Sequence, residues 1–190
     1  MEEVLIFSQE EKEVTLQLCS TLRKSIEGKV PSTVYRFIKK RLEGAAVNGK
    51  ITRDTLGMNP IVTDLQTALL VGQEIGFQQD IITSILLNRC ITTGTATIEE
   101  CKNIFGDNVA KILSNLAQIN ALYAKSPTIE SENFRNLLLS FANDMRVILI
   151  YPMIKGIGLL ICESGTFRLQ SIKDDLCHYL LVPIIRERNP

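Results

Sequence analysis

The sequence predicts an all-α fold, a single bundle of about eight to ten helices, from three observations. Apolar residues recur at three- and four-residue spacing through nearly the whole chain. Capping signals open helices at Ser8 and Thr97, and glycines close helices at Gly76 and Gly106. No two alternating runs flank a hairpin turn, and no β–α–β rhythm appears.

Ser8 with Glu11 forms a capping box, so a first helix runs from there towards Gly28, with Val14, Leu18 and Leu22 on one face. Pro31 breaks the chain, and Ser32 can cap a second helix through Tyr35, Ile38 and Leu42 to about Gly44. Residues 44–60 hold three glycines and a proline with little periodicity, which predicts a loop. A third helix is expected from Asp64 to Ile75, with Leu65, Leu69 and Gly72 sharing a face. A fourth runs from about Gln79 to Asn88 and buries Ile81, Ile82, Ile85 and Leu86; a Thr-rich polar turn follows at 89–97. Thr97 and Glu100 make a second capping box for a short helix stopped by Gly106. Asp107 opens the next helix, through Val109, Ile112, Leu113 and Leu116, to about Ala124. After a loop at 125–130, one long or two bent helices span Ser131 to about Leu160, and a last helix covers Phe167 to Leu181.

The chain has 190 residues, enough for one domain with a proper core, and 45% of them are hydrophobic. Its 21 basic and 21 acidic side chains balance, which argues against a dedicated DNA or RNA binder. Trp is absent and aromatics make up 6%, which argues against a base-stacking platform. Five cysteines, an odd number without a CxxC pair, point to reduced cytoplasmic thiols rather than disulfides or zinc. The acidic start is no signal peptide. The greasiest stretch, Val147 to Cys162, is interrupted by Lys155, Pro152, Gly156 and Gly158. It falls short of the ~20 apolar residues of a membrane span and reads as a buried core helix.

Candidate chemistry is sparse. The single histidine, His178, sits one step from the apolar face of the last helix, where a core-edge role is the commoner one. Arg89 beside Cys90 raises the option of a lowered thiol pKa, against the stronger alternative of a half-buried thiol at a helix end. Asp174-Asp175 reads as a solvated acidic pair rather than a cation site, and Lys39-Lys40-Arg41 as a wet helix face. Gly44, Gly49 and Gly57 precede no Lys-Ser/Thr, so they form no phosphate loop.

Three stretches resemble the N-terminal hydrolase domain of the RelA/SpoT family of guanosine tetraphosphate enzymes. The first is residues 76–119, with Leu86-Leu87, Thr97-Ile98-Glu99-Glu100 and Phe105-Gly106 at the family's spacing. The second is SENFRNLLLSFANDMRVILI, residues 131–150, and the third is YLLVPIIRER, residues 179–188. The resemblance covers 57–188, while residues 1–56 match only in being helical; together 1–190 is taken as one helical domain of the HD type.

In that family the resemblance implies a manganese-dependent phosphohydrolase that removes pyrophosphate from the 3′ position of the alarmone. Two histidines and two aspartates hold the metal, and two further acids assist the attacking water. This chain departs at each of those places. Asn88-Arg89 stands for the His-Asp pair, Thr92-Thr93 for the two acids, and Thr63 for the histidine before the third helix. An earlier histidine falls near Gly49 by count, the late aspartate at Ile154, and the asparagine after it at Gly158. Arg89 brings a fixed positive charge that repels a cation.

The resemblance therefore implies a catalytically inactive domain with no catalytic residue, metal or cofactor, kept for a structural or regulatory role in the stringent response of a bacterial, cytoplasmic protein. Its partner would be an adjacent synthetase-type domain, beginning about where this chain stops, or a second copy; neither DNA nor a membrane is expected. The segment from Tyr179 to Arg188 would make the contact. A residual guanine-nucleotide pocket would use Lys50 and Arg53, in the loop after the second helix. Two other readings stand beside this one: a phosphohydrolase with non-standard ligands, for which Asp54 and Asp64 are candidates, and a stand-alone helical interaction module.

Overall fold

The computed structural model describes residues 5–26, 32–54, 57–76 and 78–125, together with positions 146, 147, 150, 151, 153 and 154. Six helices fill the continuous part: α1 (Gln9–Ser25), α2 (Ser32–Val47), α3 (Pro60–Ile75), α4 (Gln79–Thr92), α5 (Ile98–Phe105) and α6 (Asp107–Lys125). No strand occurs among the described residues, so the all-α multi-helix bundle stands.

α4 is the central element. It packs against α2, α3 and α6, while α5 covers α6 and α1 covers α3. Every residue from Ile81 to Leu87 is buried, so α4 has no solvent face along these two turns. α6 brings Val109, Ile112, Leu113, Leu116 and Ile119 against it at helical spacing. Val147, Ile150, Tyr151 and Met153 are helical and buried in the same core, in line with a core helix there. Each fully buried Leu or Ile contributes roughly 1.5–3 kcal/mol from removal of apolar surface from water.

The caps fix the helix limits. At Ser8 the reciprocal capping box is complete: Glu11 N–H donates to Ser8 Oγ at 3.1 Å, and Ser8 N–H to Glu11 Oε2 at 2.8 Å. At Thr97 the hydroxyl accepts from Glu100 N–H at 3.1 Å, while the Glu100 carboxylate pairs with Arg41 of α2.

Three limits differ from the sequence expectation. α2 does not stop at Gly44 but runs on to Val47, because Ala45 and Ala46 are buried and continue its core face. Its stop is Gly49 at φ 67°, where Gly49 N–H bonds Ala46 O and Lys50 N–H bonds Ala45 O, a Schellman end. α4 likewise passes Asn88 by one turn and ends at Gly94 with the same pair of bonds, from Gly94 N–H to Ile91 O and from Thr95 N–H to Cys90 O. α3 starts at Pro60 rather than Asp64, since Asn59 caps Ile61 N–H and Pro60 fits the first helical position. The loop between α2 and α3 is correspondingly shorter than 44–60. Lys125, expected to open a loop, is the last residue of α6, while the rest of that loop at 126–130, most of the 131–160 helix and all of the 167–181 helix lie outside the described residues, as do Asp174, Asp175 and His178.

Candidate functional site

Of the residues singled out by sequence, Thr63, Asp64, Asn88, Arg89, Thr92 and Thr93 lie near the start of α3 and the end of α4, which Arg89 and Asp64 join. Thr63 is buried on α3, but its hydroxyl turns back to its own helix and donates to Asn59 O at 3.2 Å. Asp64 follows it and faces α4. There Arg89 clasps the carboxylate at two points, Nε to Oδ2 at 2.8 Å and Nη2 to Oδ1 at 2.7 Å. Nη2 also reaches the carbonyl of Pro60 at 3.4 Å. The two-point fit of a planar guanidinium to a carboxylate makes this a strong, directional contact.

Burial pushes the Asp64 carboxyl above its ordinary value, against the lowering effect of the hydrogen bond and charge of Arg89. For Arg89, burial works to lower its pKa, but the bond and charge of Asp64, helped by the charge of Asp54, hold it above its usual value. Each charge is thus partly withdrawn from water and kept by the other.

The remaining positions close on the helix end. Asn88 is half-buried. Thr92 and Thr93 hydroxyls both donate to Arg89 O, at 3.1 and 2.8 Å, so they cap the turn. Ile154 is partly buried and packs on the core, and Gly158 lies outside the described residues. Cys90 corrects one expectation. It is fully buried rather than half-buried, and burial pushes its thiol up to about 11, so Arg89, committed to Asp64, does not activate it.

Arg53 and Lys50 lie in the α2–α3 loop. Lys50 is exposed just past the end of α2. The guanidinium of Arg53 pairs with Glu11 at 2.6 and 2.9 Å and donates to the carbonyls of Gly57 at 3.0 Å and Ile6 at 3.1 Å. The loop is thereby clipped to the start of α1. Arg53 and the Ser8 backbone pull Glu11 down to about 2, against a smaller opposing effect of burial.

The basic triplet on α2 is not uniformly a wet face. Lys39 pairs with Glu43 in solvent, but Arg41 donates to Thr95 O at 2.8 Å, pairs with Glu100 and lies 5.0 Å from the centre of the Phe37 ring. An open groove of about 610 Å³ runs beside it, between α2 and the α4–α5 turn.

A hard cation needs several oxygen or nitrogen donors converging on one point. Among the described residues no three His, Cys, Asp or Glu side chains come close enough to hold a metal ion. The one carboxylate at the α3–α4 contact, Asp64, is already bound by a guanidinium at both oxygens. These residues do not fit a resident metal. Neither partner of the pair was joined to the other in the sequence, yet each is a lone charge of opposite sign in an apolar stretch, and that signal is present.

A sequence model of the HD domain matches residues 46–153. The chain is 34% identical over 116 residues, 61% of its length, to a guanosine-3′,5′-bis(diphosphate) 3′-pyrophosphohydrolase of Aquifex aeolicus. It is 27% identical over 118 residues to a GTP pyrophosphokinase of Brucella melitensis, 62% of this chain. It is 25% identical over 92 residues, 48% of this chain, to the bifunctional (p)ppGpp synthase/hydrolase SpoT of Escherichia coli. The matched parts span 15%, 14% and 13% of those three relatives. No solved structure matches significantly.

Proposed function

The chain belongs to the HD-domain family, and from that premise we propose that it is a catalytically inactive relative of the alarmone hydrolase domains, serving a structural or regulatory role. The observation that carries this reading is the Arg89–Asp64 pair. The resemblance lays Asn88-Arg89 on the family's metal-binding His-Asp pair, and Arg89 there holds a part-buried carboxylate with a fixed positive charge. A divalent cation beside a guanidinium meets repulsion instead of donors. Thr63, Thr92 and Thr93, at three further family positions, direct their hydroxyls to backbone carbonyls.

The domain is read as one unit over 1–190, in a cytoplasmic bacterial protein of the stringent response, and its partner as an adjacent synthetase-type domain or a second copy. The names of the relatives, a bifunctional synthase/hydrolase among them, support that context. Among the described residues no helix is long and apolar enough to cross a membrane. Lys50 and Arg53 remain the residues of any residual guanine-nucleotide contact, which for Arg53 requires release from Glu11.

The test is an assay of guanosine tetraphosphate hydrolysis by the purified chain with manganese. The expected result is no pyrophosphate release above the protein-free rate. Release that depends on the protein and disappears with chelator overturns the reading.

A further inference from the structure

We infer that Arg89 is a built-in cation: its guanidinium takes over the mechanical work of a metal ion by bridging α3 to α4 through Asp64. This rests on the family placement of the pocket, and it goes further than the loss of activity. A largely buried carboxylate without a counter-charge is strongly destabilising. Here the carboxylate has a partner in the same place. Asp64 lies one residue past Thr63, a family ligand position on α3, and Arg89 occupies a second such position on α4. Both carboxylate oxygens are engaged, at 2.8 and 2.7 Å, and the guanidinium adds a bond at 3.4 Å to Pro60 O at the very start of α3. Arg89 therefore touches α3 at its first residue and one turn further on. The negative charge of Asp54 also favours a positive charge at this point. A bound cation would link the two helices in the same manner, through donors from each, but reversibly and at the mercy of chelators. The guanidinium is always charged and cannot dissociate.

The inference is tested by thermal unfolding of the full chain in 1 mM manganese chloride and in excess EDTA. Wild type should unfold at the same temperature in both. Arg89→Met should lower the midpoint by roughly 10 °C, since it strands the Asp64 charge. Arg89→Lys, which keeps the charge but not the two-point fit, should lose less and remains readable if the methionine variant does not fold. The double variant Arg89→Met with Asp64→Leu should recover most of the loss. Arg89→Asp should be weakest in EDTA and should regain several degrees in manganese, because Asp64 and the new carboxylate then make a pocket with cation donors. Arg89→Met as stable as wild type, a manganese shift in wild type, or an Arg89→Asp variant indifferent to manganese each overturns the inference. The last of these leaves the inactive-domain reading intact, whereas alarmone hydrolysis by wild type removes both.

Discussion

Among the described residues two arginine–carboxylate pairs, besides Arg41–Glu100, behave in opposite ways. Arg89–Asp64 and Arg53–Glu11 are both two-point contacts, with bonds of 2.7 and 2.8 Å in the first and 2.6 and 2.9 Å in the second. The inner pair has side chains 29% and 13% exposed, the outer pair 39% and 19%. In the outer pair the arginine outweighs burial, and Glu11 falls to about 2. In the inner pair burial outweighs the arginine, and Asp64 rises. A guanidinium that outweighs burial is a convenience to its carboxylate; one that burial outweighs is a necessity, because removing either partner strands the other.

The largest expected effect follows from that contrast. Asp64→Ala leaves the Arg89 charge half-buried and unmatched and should cost about 3 kcal/mol, read as a fall in the urea midpoint with an unchanged slope. An equal effect from Glu11→Ala would erase the distinction between the pairs.

Cys90 offers a second readout with no loss of global structure. Its thiol is buried and held up near 11, so a thiol reagent at pH 8 should label it only when the end of α4 opens. Asp64→Ala should speed that labelling about tenfold or more, in step with the lost stability, and Glu11→Gln should leave it unchanged.

The outer pair is expected to be worth less. Glu11→Gln should cost about 0.2–1 kcal/mol, and 1 M salt should reduce the difference from wild type. Salt should leave the inner pair's contribution nearly untouched.

The smallest effect is in pH. The Glu11 carboxyl falls from 4.5 to about 2 on folding, so its stabilisation is complete above 4.5 and is lost as pH drops towards 2. The stability gap between wild type and Glu11→Gln should therefore be constant from pH 7 to about 5 and close below it. A gap that widens on acidification would contradict the assigned direction.

Much of this was legible in the sequence, and the parts that were not share a cause. The capping box at Ser8, the stops at Gly76 and Gly106 and the buried face of α4 depend on residues within a few positions of one another, and local spacing reveals them. The end of α2 was misplaced because a glycine stops a helix only in the left-handed conformation. Gly49 adopts it at φ 67°, and Gly44 sits in the helix with Ala45 and Ala46 holding the core beyond it. The start of α3 was readable in Asn59-Pro60 but is masked by the glycines before it. At the candidate site the resemblance singled out Arg89 and Thr63, and the carboxylate beside them was noted only as a possible ligand. Its true role depends on residues 25 positions apart meeting across two helices, which no local pattern encodes. The Glu11–Arg53 clip spans 42 positions and was missed for the same reason.

The absence of an outer face on α4 has an evolutionary consequence. From Ile81 to Leu87 nearly any replacement disturbs packing on some side, so drift there is punished at once. At Asn88, Thr92 and Thr93 the helix emerges from the core, and side chains can change without opening a cavity, whereas Arg89 between them is tied to Asp64. The α4 positions that the resemblance aligns with the family's chemistry lie past the fully buried turns of the central helix. A chain built this way can vary the residues at that end and still keep its packed interior.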